Sequence, residues 1–243
     1  MFLSVFDLFK IGIGPSSSHT MGPMVAASRF LDEILNGDWP RPYGAKASHI
    51  KVSLHGSLAY TGVGHATDRA VILGLCGEKP DTMDIEASET LLDTVARTKR
   101  ITPPGHTGYR FDPAVDLVLD KKTPLPGHAN GMQFSVFDDD DRLLLRVPYF
   151  SVGGGFVVNQ DEAAEDRIVA DTTELPHPFH SGAELLQQCE THGLSIASLM
   201  FANEHAWRSG TEIRQGLRDI WEAMQRCVER GIRESGTLPG GLH

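Results

Sequence analysis

The chain of 243 residues carries 22 basic residues against 32 acidic ones, which gives a formal net charge of −10. This balance argues against a general nucleic-acid-binding protein, because such a protein needs a basic face to neutralise phosphates. No run of about eighteen apolar residues occurs, and the apolar N-terminus lacks the basic region and the cleavage site of a signal peptide, so the sequence predicts neither a membrane span nor a secretory signal.

The first motif is a run of hydroxyl-bearing residues that follows a glycine–proline turn and consists of Ser16, Ser17, Ser18, His19 and Thr20. Apolar residues at helical spacing predict a helix directly behind the run, at Met24, Ala27, Phe30, Leu31, Ile34 and Leu35. A helix N-terminus offers unpaired amides and a partial positive charge, and hydroxyls add further donors. A simple N-cap would need one hydroxyl rather than four and an imidazole. We therefore predict that the run binds a small anion, such as a carboxylate or a phosphate.

A second glycine-rich loop, HGSLAYTGVGHATD, follows a strand that alternation of apolar and polar residues predicts over 50–56. Gly56 and Ser57 stand at the end of the strand. His65 and Asp68 come just before the apolar stretch AVILGL, which predicts a helix. The loop therefore places titratable side chains between the end of a strand and the start of a helix.

Two more glycine-rich loops carry histidines: PPGHTG contains His106, and PGHANGM contains His128 and Asn130. A further strand ends in SVGGGF, whose glycines permit close backbone approach to a ligand. Because sites are commonly built on loops of a rigid scaffold, these histidines are candidates either for metal ligands or for acid/base groups. The sequence contains neither HExxH nor a CxxC pair, so spacing alone gives only a weak indication of a metal site.

The fold class predicted is α+β, with an N-terminal mixed α/β domain over 1–158 followed by the start of an all-α domain. The first domain contains strand-like runs over 132–138 and 143–152, and these predict a hairpin. The acidic run DDDD between them is predicted to be the solvated tip of that hairpin rather than a metal site. Helices pack on the mixed sheet.

Residues 159–180 are polar and charged, and they predict a linker. The helical pattern then occupies 181–243. It begins at a capping box formed by Ser181 and Glu184 and continues into an apolar face on which Cys227 is predicted to be a core residue.

Together these motifs resemble the iron–sulfur L-serine dehydratases (L-serine ammonia-lyases) of bacteria, of the single-chain type. The resemblance rests on GPSSSHT, GHATD, HANGM, SVGGGF and TLPGGL, and it covers essentially the whole chain. It implies that the first domain is the serine dehydratase β domain, similar to the allosteric substrate-binding domain of some phosphoglycerate dehydrogenases. The helical residues then begin the α domain.

The activity that the resemblance implies is the conversion of L-serine to pyruvate and ammonia, with a [4Fe–4S] cluster in place of pyridoxal phosphate. One iron of the cluster would act as a Lewis acid on the leaving hydroxyl. The resemblance also implies a homodimer, while the charge and the lack of a long apolar run predict no nucleic-acid or membrane partner.

This chemistry suggests roles for the loop residues. A base must remove the α-proton of serine, and we expect it to be His65, oriented by Asp68; His19, His106 and His128 remain alternatives. The residues predicted to bind the substrate are Ser16, Ser17, Ser18, His19, Thr20, Gly56, Ser57, His106, His128 and Asn130.

The cysteines depart from the family pattern. Cys76, Cys189 and Cys227 are widely spaced and odd in number, which is typical of a reducing, cytoplasmic setting without a disulfide framework. None occupies the position of a family cluster cysteine, because the resemblance places those cysteines beyond His243, the last residue of the chain. We therefore expect the chain to be an N-terminal portion without cluster ligands, inactive alone but able to bind L-serine.

Two other functions stay open on the sequence. One is a non-catalytic L-serine-binding regulatory module, which differs from the enzyme in lacking downstream cysteines. The other is a mononuclear metal hydrolase built from the loop histidines.

Overall fold

The computed structural model describes residues 3–42, 44–164 and 173–236. The chain forms two compact units. The first contains the described residues from Gly12 to Ala164 and includes the sheet. The second is helical and contains Leu3–Ile11 together with the described residues from Thr173 onward.

Seven strands form one mixed sheet: β1 (His49–His55), β2 (Arg100–Ile101), β3 (Tyr109–Arg110), β4 (Leu117–Asp120), β5 (Gly131–Phe137), β6 (Leu143–Gly153) and β7 (Phe156–Asn159). The order along the sheet is β2-β3-β1-β5-β6-β7, and β4 also pairs with β1. Strands β3 and β4 run parallel to β1, whereas β5 runs antiparallel to it. Leu54 pairs with Met132, and Gly131 pairs with Phe150. The end of β1, the start of β5 and the end of β6 therefore meet at one end of the sheet.

Helices of the first unit pack on this sheet or connect its strands. They are a π-helical turn (Ser17–Met21), α2 (Gly22–Asn36), α3 (Ser57–Thr61), a 3₁₀ turn (Val63–His65), α4 (Thr67–Leu75), α5 (Ile85–Thr98), α6 (Pro113–Asp116) and α7 (Gln160–Ala164); α1 (Val5–Leu8) precedes them in the chain. Helix α2 buries the predicted apolar residues except Leu35, which is exposed. The Phe30 ring lies 5.3 Å from the Phe134 ring on β5, so α2 is held against the sheet.

The α+β class, the mixed sheet and the hairpin are confirmed. The turn between β5 and β6 is closed by the Asp138 carboxylate, which accepts hydrogen bonds from the amides of Asp140 and Arg142. The predicted linker is only partly irregular, since β7 reaches Asn159 and α7 follows it directly. Eight residues of that linker, 165–172, lie outside the described residues.

The N-terminal residues group with the helical unit, although the sequence placed them in the 1–158 domain. Buried Glu204 explains this difference. Its carboxylate accepts hydrogen bonds from the Ser4 hydroxyl (2.9 Å) and the Val5 amide (2.6 Å), and Arg208 lies 3.2 Å from it. A buried carboxylate requires such partners, so it holds the N-terminal segment in this unit.

The helical unit contains α8 (Gly182–His192), α9 (Ile196–Glu204) and α10 (Gly210–Arg233). Only one half of the predicted capping box forms. The Ser181 hydroxyl accepts a hydrogen bond from the Glu184 amide, but the Glu184 carboxylate accepts from the amide of His180 rather than from that of Ser181. No helix among the described residues is long and apolar enough to cross a membrane.

The prediction that Cys227 is a core residue is wrong, because its side chain is exposed. Ile213 on the same helix is buried. Farther along α10 the apolar face is open, at Leu217, Trp221, Met224 and Val228. Helical spacing identifies the apolar face correctly, but nothing in the described part of the chain covers its second half.

The end of the predicted helical pattern, over 181–243, differs from the structure. Helix α10 ends at Arg233, and its cap residue Glu234 has extended backbone angles, so the helix does not continue to the end of the chain. Residues 237–243, which include the TLPGGL motif and His243, lie outside the described residues. The expectation that cluster cysteines follow His243 therefore stays a prediction.

Candidate functional site

The serine turn, Ser16–Met21, forms the first turn of the helix rather than a loop in front of it. From Ser17 onward it is π-helical and continues into α2. The Ser16 hydroxyl accepts a hydrogen bond from the His19 amide (3.1 Å) and so caps the turn. The amides of Ser17 and Ser18 have no hydrogen-bond partner among the described residues. These two donors point to the anion site that the sequence predicts.

His19 connects the serine turn to the end of β1. Its Nδ1 lies 2.9 Å from the Ser18 hydroxyl, and its Nε2 lies 2.9 Å from the Ser57 hydroxyl at the start of α3. Burial, and then the nearby charge of His65, lower the pKa of His19 below its usual value. The ring is therefore neutral near pH 7, and each of its nitrogens holds one serine hydroxyl in place.

The other hydroxyls of the serine turn divide into one free group and one structural group. Ser17 is exposed, and its hydroxyl has no partner in the described structure. Thr20 is buried; its hydroxyl donates to the His65 carbonyl (2.8 Å) and accepts from the Ser16 amide (3.2 Å). Ser17 is thus available to a ligand, whereas Thr20 joins the serine turn to the His65 backbone.

The geometry of His65 determines which of its nitrogens can act as a base. Its Nδ1 lies 2.9 Å from the Thr61 carbonyl oxygen. Because a carbonyl only accepts hydrogen bonds, Nδ1 carries the proton of the neutral ring and Nε2 keeps a lone pair. The rings of His65 and His19 are 4.8 Å apart. The two imidazoles form a pair beside the serine turn.

Asp68 does not hold His65 in the predicted way. The partner of His65 Nδ1 is the Thr61 carbonyl, because the 3₁₀ turn folds His65 back onto the end of α3. Asp68 lies in the first turn of α4, where an acidic side chain interacts favourably with the helix dipole. The prediction that Asp68 orients His65 is therefore corrected: the partner of the His65 ring is a backbone carbonyl.

Gly56 brings a second loop against the end of β1. Its φ of 55° lies in the left-handed region that favours glycine. A methyl group at this position would overlap the carbonyl oxygen of Ala129, to which the Ser57 amide donates a hydrogen bond of 2.8 Å. Gly56 thus permits close approach of the loop that carries His128 and Asn130.

That loop is fixed by its own hydrogen bonds. The Asn130 amide donates to His128 Nδ1 (3.0 Å), and the Asn130 side chain donates to the Ser151 carbonyl at the end of β6 (3.1 Å). His128 Nδ1 is therefore an acceptor, and any proton on the neutral ring is at Nε2. The structure brings both residues to the same end of the sheet as the serine turn.

His106 does not belong to this site. It precedes β3, which runs parallel to β1 with Arg110 opposite His49. It therefore lies beyond the start of β1, while Ser57 lies just beyond its end, and seven residues of strand span about 20 Å. There its Nδ1 is 2.6 Å from the Tyr109 hydroxyl, and burial lowers its pKa. His106 therefore does not join the other predicted binding residues, because strand pairing places its loop at the opposite end of β1.

The donor set of the described residues does not fit an iron–sulfur cluster. In the described part of the chain, no three His, Cys, Asp or Glu side chains are grouped so that they could hold a metal ion. Cys76 is buried, and burial, with the charge of Glu78, raises the pKa of its thiol to about 12, which disfavours the thiolate that iron needs. Cys189 is buried and Cys227 is exposed.

Comparison with known proteins identifies the family of the chain. A family model described as serine dehydratase beta chain matches residues 4–162, which include all of the residues that line it. The chain belongs to the serine dehydratase beta-chain family. The match also extends over α1, in the helical unit.

Several curated bacterial relatives are similar to the chain over nearly its whole length. An L-serine dehydratase of Streptomyces coelicolor is 47% identical over 242 residues, which cover 100% of this chain and 52% of the relative. The L-serine dehydratase TdcG of Escherichia coli is 41% identical over 99% of this chain and 52% of the relative. An L-serine dehydratase of Haemophilus influenzae is 37% identical over 99% and 51%. The chain spans about half the length of the curated relatives it matches.

Sequence reasoning missed three groups that shape the site. Two are backbone carbonyls, those of Thr61 and Ala129, and residue type gives no signal for a carbonyl. The third is Ser151, which stands at the head of the SVGGGF motif and contacts Asn130. The glycines of that motif indicate close backbone approach, whereas its contact with Asn130 is made by the serine.

We predict that Gly56→Ala displaces the loop of His128 and Asn130 and lowers the free energy of unfolding. The loss should exceed the about 1–3 kcal/mol expected for backbone strain alone, because the new methyl group also overlaps the Ala129 carbonyl. Urea denaturation measures the change.

The matched control for this prediction is Gly105→Ala. Gly105 also has a positive φ, of 79°, but a methyl group there has no atom within 4 Å. Equal losses of stability in the two variants would contradict the close approach of the loop at Gly56.

Proposed function

We propose that this chain supplies the L-serine-binding part of an L-serine dehydratase, which converts serine to pyruvate and ammonia. The observation that carries the proposal is the set of unpaired donors on the serine turn, at Ser17 and Ser18, beside the paired rings of His19 and His65. The names of the relatives support serine as the substrate.

The carboxylate of serine would bind at the start of the helix. The amides of Ser17 and Ser18 and the Ser17 hydroxyl supply three donors, and the helix dipole adds a favourable field. His19 supports this set of donors by forming a hydrogen bond with the Ser18 hydroxyl.

His65 would remove the α-proton. Its Nε2 carries the lone pair, and Thr61 fixes the ring in this tautomer. The proton moves to Nε2, the electron pair of the C–H bond forms a double bond between Cα and Cβ, and the C–O bond breaks with its pair leaving on the hydroxyl. The resulting 2-aminoacrylate takes up water to give pyruvate and ammonia. His128 stays a second candidate for the base.

The cofactor is proposed to be a [4Fe–4S] cluster whose ligands come from outside this chain, beyond His243, because the cysteines and histidines of the described residues do not form a ligand set. The open apolar face of α10 supports the presence of a covering segment in the complete enzyme. A cytoplasmic location and a homodimer remain proposals from the family resemblance.

A second candidate function is a non-catalytic module that senses L-serine. The chain has donors that could bind serine, but its described residues do not group metal ligands. This difference favours the sensing module over a mononuclear metal hydrolase. The hydrolase would need its loop histidines in one place, and His106 lies at the far end of β1.

We predict that Ser17→Ala weakens binding of L-serine roughly ten- to a hundredfold, because one charge-assisted hydrogen bond to the carboxylate is lost. Isothermal titration calorimetry measures the affinity. Thr90→Ala serves as the control, since Thr90 is an exposed residue on α5. Unchanged affinity in Ser17→Ala would contradict the anion site.

We predict that His65→Gln, made in the complete enzyme, lowers kcat about 10²- to 10⁴-fold with little change in KM, because the base is lost while the carboxylate site is kept. Pyruvate formation measures the rate. His106→Gln should leave both constants unchanged. Near-normal turnover in His65→Gln would exclude His65 as the base.

We predict that anaerobic reconstitution of the 243-residue chain with iron and sulfide yields neither bound cluster nor pyruvate, while L-serine binding is retained. Iron and labile sulfide are counted per chain, and pyruvate is assayed after addition of L-serine. A bound cluster with turnover would mean that Cys76, Cys189 or Cys227 are ligands after all. One zinc per chain without sulfide would instead favour the hydrolase.

A further inference from the structure

Ser151 is fully buried at the end of β6, and its hydroxyl has no hydrogen-bond partner in the described structure. Buried polar groups are nearly always paired, so an unpaired one calls for a physical reason. Leaving the hydroxyl unpaired makes no favourable contribution to folding. The side chain lies beside the serine turn, so its steric contacts there, rather than a hydrogen bond, suggest a reason for its position.

Ser151 contacts two parts of the site, the loop that carries Asn130 and the start of α2 at Gly22. Its backbone forms two hydrogen bonds with Asn130: the Ser151 amide donates to the Asn130 carbonyl (3.0 Å), and the Asn130 side chain donates to the Ser151 carbonyl (3.1 Å). Its side chain meets Gly22, where a methyl group would overlap the Ser151 hydroxyl and lie 2.8 Å from its Cβ. This second contact is steric and involves no backbone hydrogen bond.

Gly22 closes the serine turn, since its amide donates to the Ser17 carbonyl. Its φ of −56° and ψ of −53° are those of an ordinary helix. The ring of Pro23 disfavours these angles for a preceding residue that carries a Cβ, but the nearest atoms that a methyl group would meet belong to Ser151. Ser151 therefore limits most closely the room for a side chain at this position.

We propose that the contact between Gly22 and Ser151 is a positioning contact that sets the distance between the serine turn and the loop of His128 and Asn130. Ser151 is a positioning residue: it acts through Gly22 on one side and through Asn130 on the other. The spacing it sets determines where the free donors of the serine turn meet the ligand. The identity of that ligand, L-serine, rests on the proposed function.

The test uses Gly22→Ala and a compensating substitution. Gly22→Ala should push the serine turn away from β6 and weaken L-serine binding about ten- to a hundredfold, the range expected when one charge-assisted hydrogen bond to the carboxylate is lost. The double variant Gly22→Ala/Ser151→Gly removes both the hydroxyl and the Cβ that the methyl meets, so binding should return to near the wild-type value. Calorimetry with L-serine measures each affinity.

A second readout does not need a ligand. The displacement should change the chemical shifts of the His19 ring, which lies in the serine turn and contacts Ser57. NMR spectra of the histidine rings, with the His19 signal identified by its loss in His19→Gln, should show a shift in Gly22→Ala and its reversal in the double variant. If the wild type binds no L-serine, the proposed function fails, and this readout still decides the positioning contact.

The matched control is Gly231→Ala, a glycine in α10 whose added methyl would have no atom within 4 Å. It should change neither serine affinity nor the His19 signal. Wild-type affinity and an unchanged His19 signal in Gly22→Ala would overturn the proposal. A defect that Ser151→Gly fails to reverse would overturn it too, because the cause would then lie outside the contact. If Gly22→Ala fails to fold, recovery of folded protein in the double variant supports the contact and continued misfolding refutes it.

Discussion

The site depends on the register of β1 against β5. Because Leu54 is opposite Met132, the loop before β5 arrives next to Gly56 as β1 ends. A shift of one residue would turn every side chain of the strand to the other face of the sheet and would move this loop away. The buried residues of β1 and β5 specify the register, so the hydrophobic core determines where the polar groups meet.

Two backbone carbonyls then orient the histidines at this end of the sheet. The Thr61 carbonyl selects the tautomer of His65, and the Ala129 carbonyl accepts from Ser57, whose hydroxyl holds His19. Neither interaction involves an ionised side chain. The histidine pair is thus oriented by hydrogen bonds to uncharged groups.

Much of this architecture follows from local patterns. Apolar periodicity locates α2, an apolar stretch locates α4, alternation locates β1, and two strand-like runs locate the hairpin. Long-range pairing does not follow from such patterns. His106 has the same glycine-rich setting as His128, but the parallel pairing of β3 with β1 sends it to the other end of the sheet. Asp68 is near His65 in sequence, but the 3₁₀ turn directs the ring to a carbonyl that no residue pattern encodes.

The π-helical form of the serine turn makes its length as important as its composition. A π turn contains one residue more than an α turn. Deleting any one residue of the run would let the helix continue with α-helical hydrogen bonds and would rotate every earlier side chain by about 100° about the axis. Ser16 would then no longer cap the turn, and the exposed Ser17 would face another direction. A relative with one serine fewer would keep the helix and the hydroxyls but would present a different surface to a ligand.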